Sequence, residues 1–298
     1  MKKILFFLLL ALLAGRAYGQ RNNDFESLTL MADKDDIAAC GFVRSAQPPV
    51  DTSRLRVVYR LTYRAAPDAK PRETEWLLAI GARHTDFRSC AYARADTLAS
   101  ASRKGGLPGP MVPFEPLGEV LRSIAEGRFE VLQRIPFERR HVVRYDESAA
   151  APEWRMLGRT DTVGGYLCHA AATTYGGREW TAWFAPAVPT DAGPWKLFGL
   201  PGLILRAGDA TGSYAFEPVK IEQAAVPMPG CGVPIRTESK RKWLRMACGF
   251  HGSPAFYFSA GGKHLFYMRG SKVPLGGEWR ITYNPVEFDM AETEKPVE

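Results

Sequence analysis

Gly176-Gly177 stands between two strand-like runs, residues 166–175 and 178–184, and constrains the chain more than any other feature of it. A two-residue Gly-Gly loop turns the backbone through angles other residues resist and fixes the register of the strands it joins. Tyr175 is then predicted opposite Arg178, and Ala170 opposite Trp183. One face of this hairpin carries Tyr166, Cys168, Ala170, Ala172, Thr181 and Trp183. The other carries Leu167, His169, Ala171, Trp180, Ala182 and Phe184. Small residues around Trp183 leave room for its indole, which predicts that this face packs in the core. The face with Trp180 and Phe184 must then be covered by a helix or loop, or line a ligand groove.

Further strand-like runs occupy residues 55–63, 74–80, 129–135, 141–144, 203–206, 214–221 and 279–283. The turns between them are short and long helical crossovers are lacking, which predicts antiparallel pairing. The expected fold is mainly β: one large antiparallel curved sheet or open barrel with about two helices packed on it. Residues 116–126, with Leu117, Val120, Leu121 and Ile124 at helical spacing, and residues 238–248 are the predicted helices. Residues 20–288 read as a single domain, followed by a polar, mostly acidic tail at 289–298.

The first 19 residues read as a signal peptide. Lys2 and Lys3 precede ten apolar residues, 4–13, and Ala17-Tyr18-Gly19 supplies a small-x-small cleavage site. The expected mature chain starts at Gln20, is exported to the periplasm or outer cell envelope, is soluble, and has no later apolar run near the ~20 residues that a membrane-spanning helix needs. Loss of Lys2, Lys3 and Arg16 lowers the formal charge from +7 to +4, a modest excess. The basic run at residues 240–245 reads as a solvated helix face, because export separates the chain from nucleic acid. Five cysteines in an exported chain predict disulfides. Cys168, in an apolar strand, is expected to stay a buried thiol. Cys40, Cys90, Cys231 and Cys248 are expected to form two bridges, with Cys40–Cys90 and Cys231–Cys248 as the local pairings.

Residues 193–205, Gly-Pro-Trp-Lys-Leu-Phe-Gly-Leu-Pro-Gly-Leu-Ile-Leu, form a tight corner leading into an apolar strand. A phosphate-cradling loop is excluded, since no helix start or Lys-Ser/Thr pair follows. With Gly164-Gly165-Tyr166-Leu167-Cys168 and Gly177-Arg178-Glu179-Trp180-Thr181-Ala182-Trp183, this run resembles the GLPGLI family of exported bacterial proteins. Weaker similarity extends to residues 55–63, 77–81 and 283–287. The resemblance implies an envelope protein of unknown function with a link to outer-membrane transporters.

Two functions are compatible with the sequence. One is a cell-envelope binding or accessory protein that holds a hydrophobic ligand or peptide in an aromatic-lined concavity, or that assists an outer-membrane transporter. Trp180, Phe184, Trp195, Leu200 and Pro201 are the candidate contacts, with Gly199, Gly202, Leu203 and Ile204 as the structural corner. The other is an exported hydrolase, although Gly-x-Ser-x-Gly, His-Glu-x-x-His, Cys-x-x-Cys and Gly-x-Gly-x-x-Gly are all absent. No catalytic residue, metal ligand or cofactor is expected. Cys168 and His169, adjacent on a strand, point to opposite faces and do not converge on one ion.

Overall fold

The structure is a computed structural model and describes residues 38–40, 44, 47–104, 111–134, 142–231, 235–253 and 284–287. The predicted signal peptide, the strand at 279–283 and the tail at 289–298 lie outside these residues. After β1 (Ala38–Cys40) and β2 (Pro49–Thr52), an antiparallel meander starts with β3 (Leu55–Tyr63), β4 (Arg72–Ile80) and β5 (His84–Ser89). Helix α1 (Cys90–Lys104) and β6 (Met111–Pro113) interrupt it before β7 (Glu119–Ser123), β8 (Arg128–Arg134) and β9 (Val142–Ser148) complete it. A second meander follows: β10 (Arg155–Val163), β11 (Tyr166–Tyr175), β12 (Arg178–Ala185), β13 (Leu203–Asp209) and β14 (Tyr214–Glu222). The chain then forms β15 (Pro227–Pro229), β16 (Ile235–Thr237) and α2 (Lys240–Gly252).

Pairing of β14 with β3 fuses the two meanders into one eleven-strand antiparallel sheet, and β16 adds to β9 in parallel at one edge. The sheet is not closed into a barrel. It nevertheless curls tightly. From β12 to β9 are eight inter-strand steps, about 38 Å if the sheet were flat at ~4.8 Å per strand. Yet Trp195 stacks near Trp180 of β12, while its neighbour Lys196 pairs with Glu147 of β9. Adjacent residues bridge the two only because the sheet wraps around them.

The hairpin has the predicted register: Tyr175 faces Arg178 and Ala170 faces Trp183. Gly176 and Gly177 take φ of 61° and 75°, the positive values such a turn requires. The assignment of its faces is reversed, however. Trp180, Ala182 and Phe184 point into the main core. Trp183 is half-buried on the outer face, with the guanidiniums of Arg159 and Arg206 each 5.8 Å from its ring. Of the coverings foreseen for the Trp180 face, the loop is the one found, namely residues 186–202.

The predicted helix at 116–126 is instead β7 and the turn into β8. All five residues of β7 are buried, Val120 in the main core and Leu121 in a second cluster on the opposite face with Leu132, Val142 and Cys231. A strand covered on both faces loses the period-two signal. The second predicted helix is α2, capped by Ser239, whose hydroxyl accepts from the Lys242 amide at 3.2 Å. Its basic run is not simply solvated. Lys240 pairs with Glu147 and Glu287, Lys242 with Glu238, and Trp243 is buried.

Cys90, Cys168 and Cys231 are thiols, so the Cys40–Cys90 and Cys231–Cys248 bridges are not formed. Cys168 is buried as expected, and burial pushes its thiol pKa up. Burial likewise raises Cys231 to about 11.

Candidate functional site

The curled sheet encloses the segment between β12 and β13. Trp195, Lys196, Leu197, Phe198 and Leu200 are buried there, and Phe198 meets Phe129 edge-on at 5.7 Å. The Trp195 and Phe198 rings are therefore packing elements. The corner that returns this segment to the sheet depends on Gly202, at φ 153°. A Cβ there would lie 2.4 Å from the Ala185 carbonyl oxygen, so the close backbone approach excludes any side chain. Trp195 itself takes φ 56°, a left-handed value uncommon for a bulky residue, held by contacts with Tyr175 and Trp180 on either side.

Four of the five predicted contacts, Trp180, Phe184, Trp195 and Leu200, thus belong to the core, and only Pro201 is exposed. Gly202, Leu203 and Ile204 are buried in the corner, and Gly199 is exposed at φ 95°.

Below the buried segment lies a closed set of charges. Lys196, 1% exposed, is ion-paired to both Glu147 and Glu287, and Lys240 pairs with the same two carboxylates. Burial pushes the Glu287 carboxyl up, but Lys196 and Lys240 more than reverse this and hold it below its usual value. Burial likewise depresses Lys196, and Glu287 with Glu147 raise it overall. Arg178 clamps the segment that delivers Glu287. It pairs with Asp209 at 2.7 Å and donates to the Asn284 side chain at 2.6 Å, the Pro285 carbonyl at 2.5 Å and the Val286 carbonyl at 3.1 Å. Glu147 Oε1 and Glu287 Oε2 lack a hydrogen bond of good geometry, but each is in direct ion-pair contact with a lysine, so two cations and two anions balance one another as in a structural lock. A 30 Å³ void beside it, bordered by Trp195, Tyr145 and Glu287, has room for little more than water.

The outer face of the same sheet presents a different arrangement. A cleft of about 410 Å³ lies there, within the ~300–1,000 Å³ range of small-molecule sites. Arg88 and Glu119 border it from β5 and β7, Asp96 from α1, and Pro49 and Pro229 from the β2–β15 ribbon. Arg44 reaches in from the chain preceding β2 and is only 2% exposed. Its Nη2 donates to Asp86 at 2.9 Å and to the Pro229 carbonyl at 3.2 Å. Its Nε and Nη1 have no hydrogen-bond partner.

Glu119 is equally deep. Its Oε2 has no hydrogen-bond partner and stands 3.9 Å from Arg134. Arg134 instead bonds Asp96 at 3.1 Å and lies 3.9 Å over the Tyr92 ring. Burial, with Glu119 adding to it against Arg134, raises the Asp96 carboxyl to about 7. Burial also raises nearby Glu115 to about 7, although Ser89 donates to it at 3.1 Å. No group of metal-ligating side chains is present among the described residues, and no helix there is long and apolar enough to cross a membrane.

Sequence reasoning missed this cleft entirely. Arg44, Arg88, Asp96 and Glu119 share no motif and come from separate elements. The only local signal is that Glu119 directly precedes the apolar pair Val120-Leu121.

A family described as "Protein of unknown function (Porph_ging)" matches residues 175–206, from the hairpin turn through the buried segment into β13. No curated protein matches the chain. Among solved structures, two crystal forms of PNGF-II are similar, at 13% identity and TM-scores of 0.48 and 0.47. The similarity covers 66% of this chain but 33% and 32% of theirs, so the chain spans about a third of their length.

Proposed function

We propose that the protein is an exported binding or accessory protein of the cell envelope, the role implied by its resemblance to the GLPGLI family, and that its ligand occupies the outer cleft. The carrying observation is that Arg44 and Glu119, both deeply buried at the cleft, keep polar atoms without hydrogen-bond partners. Leaving such atoms unpaired costs free energy, and a polar ligand recovers it. The concavity expected to take a hydrophobic ligand is instead filled by the protein's own Trp195, Leu197 and Phe198. A polar ligand is accordingly favoured over a hydrophobic one. Partnership with an outer-membrane transporter is part of the same reading. The test is thermal denaturation of the purified chain with and without a small-molecule extract of its native envelope: stabilisation that Arg44→Met removes is the expected result, and no shift with any extract counts against a ligand role. Mass spectrometry of the envelope fraction should find an N-terminus at Gln20.

A second reading, an exported hydrolase, is favoured by one observation. Asp96, with its carboxyl near 7, lines the cleft beside Glu119, and a carboxyl poised near neutral pH suits general acid–base work. Turnover of ester, peptide or glycoside substrates that Asp96→Asn abolishes, with folding intact, would establish it.

A further inference from the structure

We infer that the outer cleft is a site for a small zwitterion carrying one carboxylate and one ammonium group, as in an amino acid or the ends of a short peptide. The inference rests on the cleft being the ligand site and specifies what it takes. The unmatched atoms are of both kinds. Arg44 offers Nε and Nη1 as donors, and Arg88 offers Nε. Glu119 offers Oε2 as an acceptor. An anion alone would satisfy the guanidiniums and leave Glu119 buried and unanswered. A cation alone would do the reverse. A molecule with both poles satisfies both sets, its carboxylate meeting the charged donors of Arg44 and Arg88 and its ammonium meeting Glu119.

The placement of these groups agrees with such a ligand. Asp86 already takes Arg44 Nη2 on one side at 2.9 Å and stands 3.7 Å from Arg88 on the other. The two arginines are therefore held in place around one carboxylate while each retains donor capacity. Glu119 lies on the adjacent strand, opposite Leu132 of β8, and is held at 3.9 Å by an arginine whose closer partner is Asp96. Three carboxyl groups, Asp86, Asp96 and Glu119, stand against three guanidiniums, Arg44, Arg88 and Arg134, so acidic and basic side chains are equal in number around the cleft. A neutral pocket with separated poles favours a ligand of zero net charge over an ion of either sign.

Isothermal titration of the full chain with alanine, trialanine, acetate and methylammonium tests this. Saturable binding of alanine or trialanine at least 10-fold tighter than either single-pole ion is the expected result. Alanine binding as tightly as trialanine identifies a free amino acid, and a preference for trialanine identifies a peptide. Acetate binding as well as the zwitterions would overturn the two-pole assignment, and so would the absence of any binding. Arg44→Met and Glu119→Gln are each expected to weaken the zwitterion at least 10-fold, whereas Glu222→Gln, remote on β14, leaves it unchanged. The comparison of ligands on the native chain needs no variant to fold. If envelope extract stabilises the protein while all four probes fail to bind, this inference falls and the ligand role stands. If neither acts, both fall.

Discussion

Two buried charge clusters lie on opposite faces of one sheet, and they differ in how completely their charges are answered. On the inner face Lys196 and Lys240 each pair with both Glu147 and Glu287. On the outer face Arg44 has one carboxylate for a whole guanidinium, and Glu119 and Arg88 approach their nearest opposite charges only at 3.9 and 3.7 Å. The inner cluster is the less buried of the two, with Lys240 23% and Glu147 18% exposed, so burial alone does not separate structure from function here. The distance to the opposite charge does: Glu147 Oε1 and Glu287 Oε2, which like Glu119 Oε2 lack a hydrogen bond, each touch a lysine, whereas Glu119 Oε2 stands 3.9 Å from Arg134.

The comparison breaks most sharply under removal of one charge from each cluster. Lys196→Met should cost about 4 kcal/mol, because it leaves two buried carboxylates sharing Lys240. Arg44→Met should cost less, about 3 kcal/mol, since Asp86 loses its 2.9 Å partner but keeps Arg88 at 3.7 Å and two unpaired donors disappear. Urea denaturation of both variants measures the difference, and equal losses would erase the distinction. Gly202→Val comes next, at about 3 kcal/mol, because its Cβ meets the Ala185 carbonyl and displaces the buried segment above the inner cluster. The same measurement checks it. Leu200→Asp belongs with these core changes, as Leu200 is only 2% exposed.

Acidity separates the clusters by pH. The carboxyls of Asp96 and Glu115 sit near 7 in the folded chain, above their ordinary 3.8 and 4.5. The folded state therefore holds their protons more tightly than the unfolded state does. Stability should fall as pH rises from about 4.5 to about 7 and level off above that. Lys196, Lys240 and Glu287 of the inner cluster are silent in this window. Glu287 is lowered from 4.5, so its contribution is lost only in more acidic solution, and that of Lys196, raised from 10.5, only in more alkaline solution. Glu115→Gln should flatten the decline measured by melting temperature across this range, while Lys196→Met should leave the slope unchanged. The smallest effect is expected from thiol reagents: Cys168 and Cys231 should titrate without reductant, but only after unfolding.

The strands were legible where one face alternates with the other, as in β3, and where a turn dictates pairing, as at Gly176-Gly177. Residues 116–126 misled because β7 is covered on both sides, and its apolar spacing then imitates a helix. Helix α1 escaped because its Ala-rich sequence, with Tyr92 and Ala95 among its few buried side chains, carries little amphipathic signal. The corner at Gly202 was readable from Pro201-Gly202, but the burial of Leu200 was not, since nothing local shows that a sheet closes around it. Arg178 stood in a recognisable segment, yet its clamp on residues 284–286 joins positions more than a hundred apart. The outer cleft has the same long-range origin: Arg44 and Asp86 are 42 residues apart, and Arg134 and Asp96 are 38 apart.

The segment that fills the sheet is also a constraint on the order of assembly. The inner face of the first meander, with Val57, Tyr59, Leu61, Phe87 and Val131, ends at residue 148, but the side chains that cover it arrive from residues 192–200. Closure further waits for β14 to find β3, a pairing of Glu222 with Arg56. In synthesis the first meander therefore emerges before the residues that cover its apolar face. Contacts so distant in sequence form slowly, and an exposed apolar sheet is prone to self-association meanwhile. Residues 186–202 can seat only where strands of both meanders enclose them.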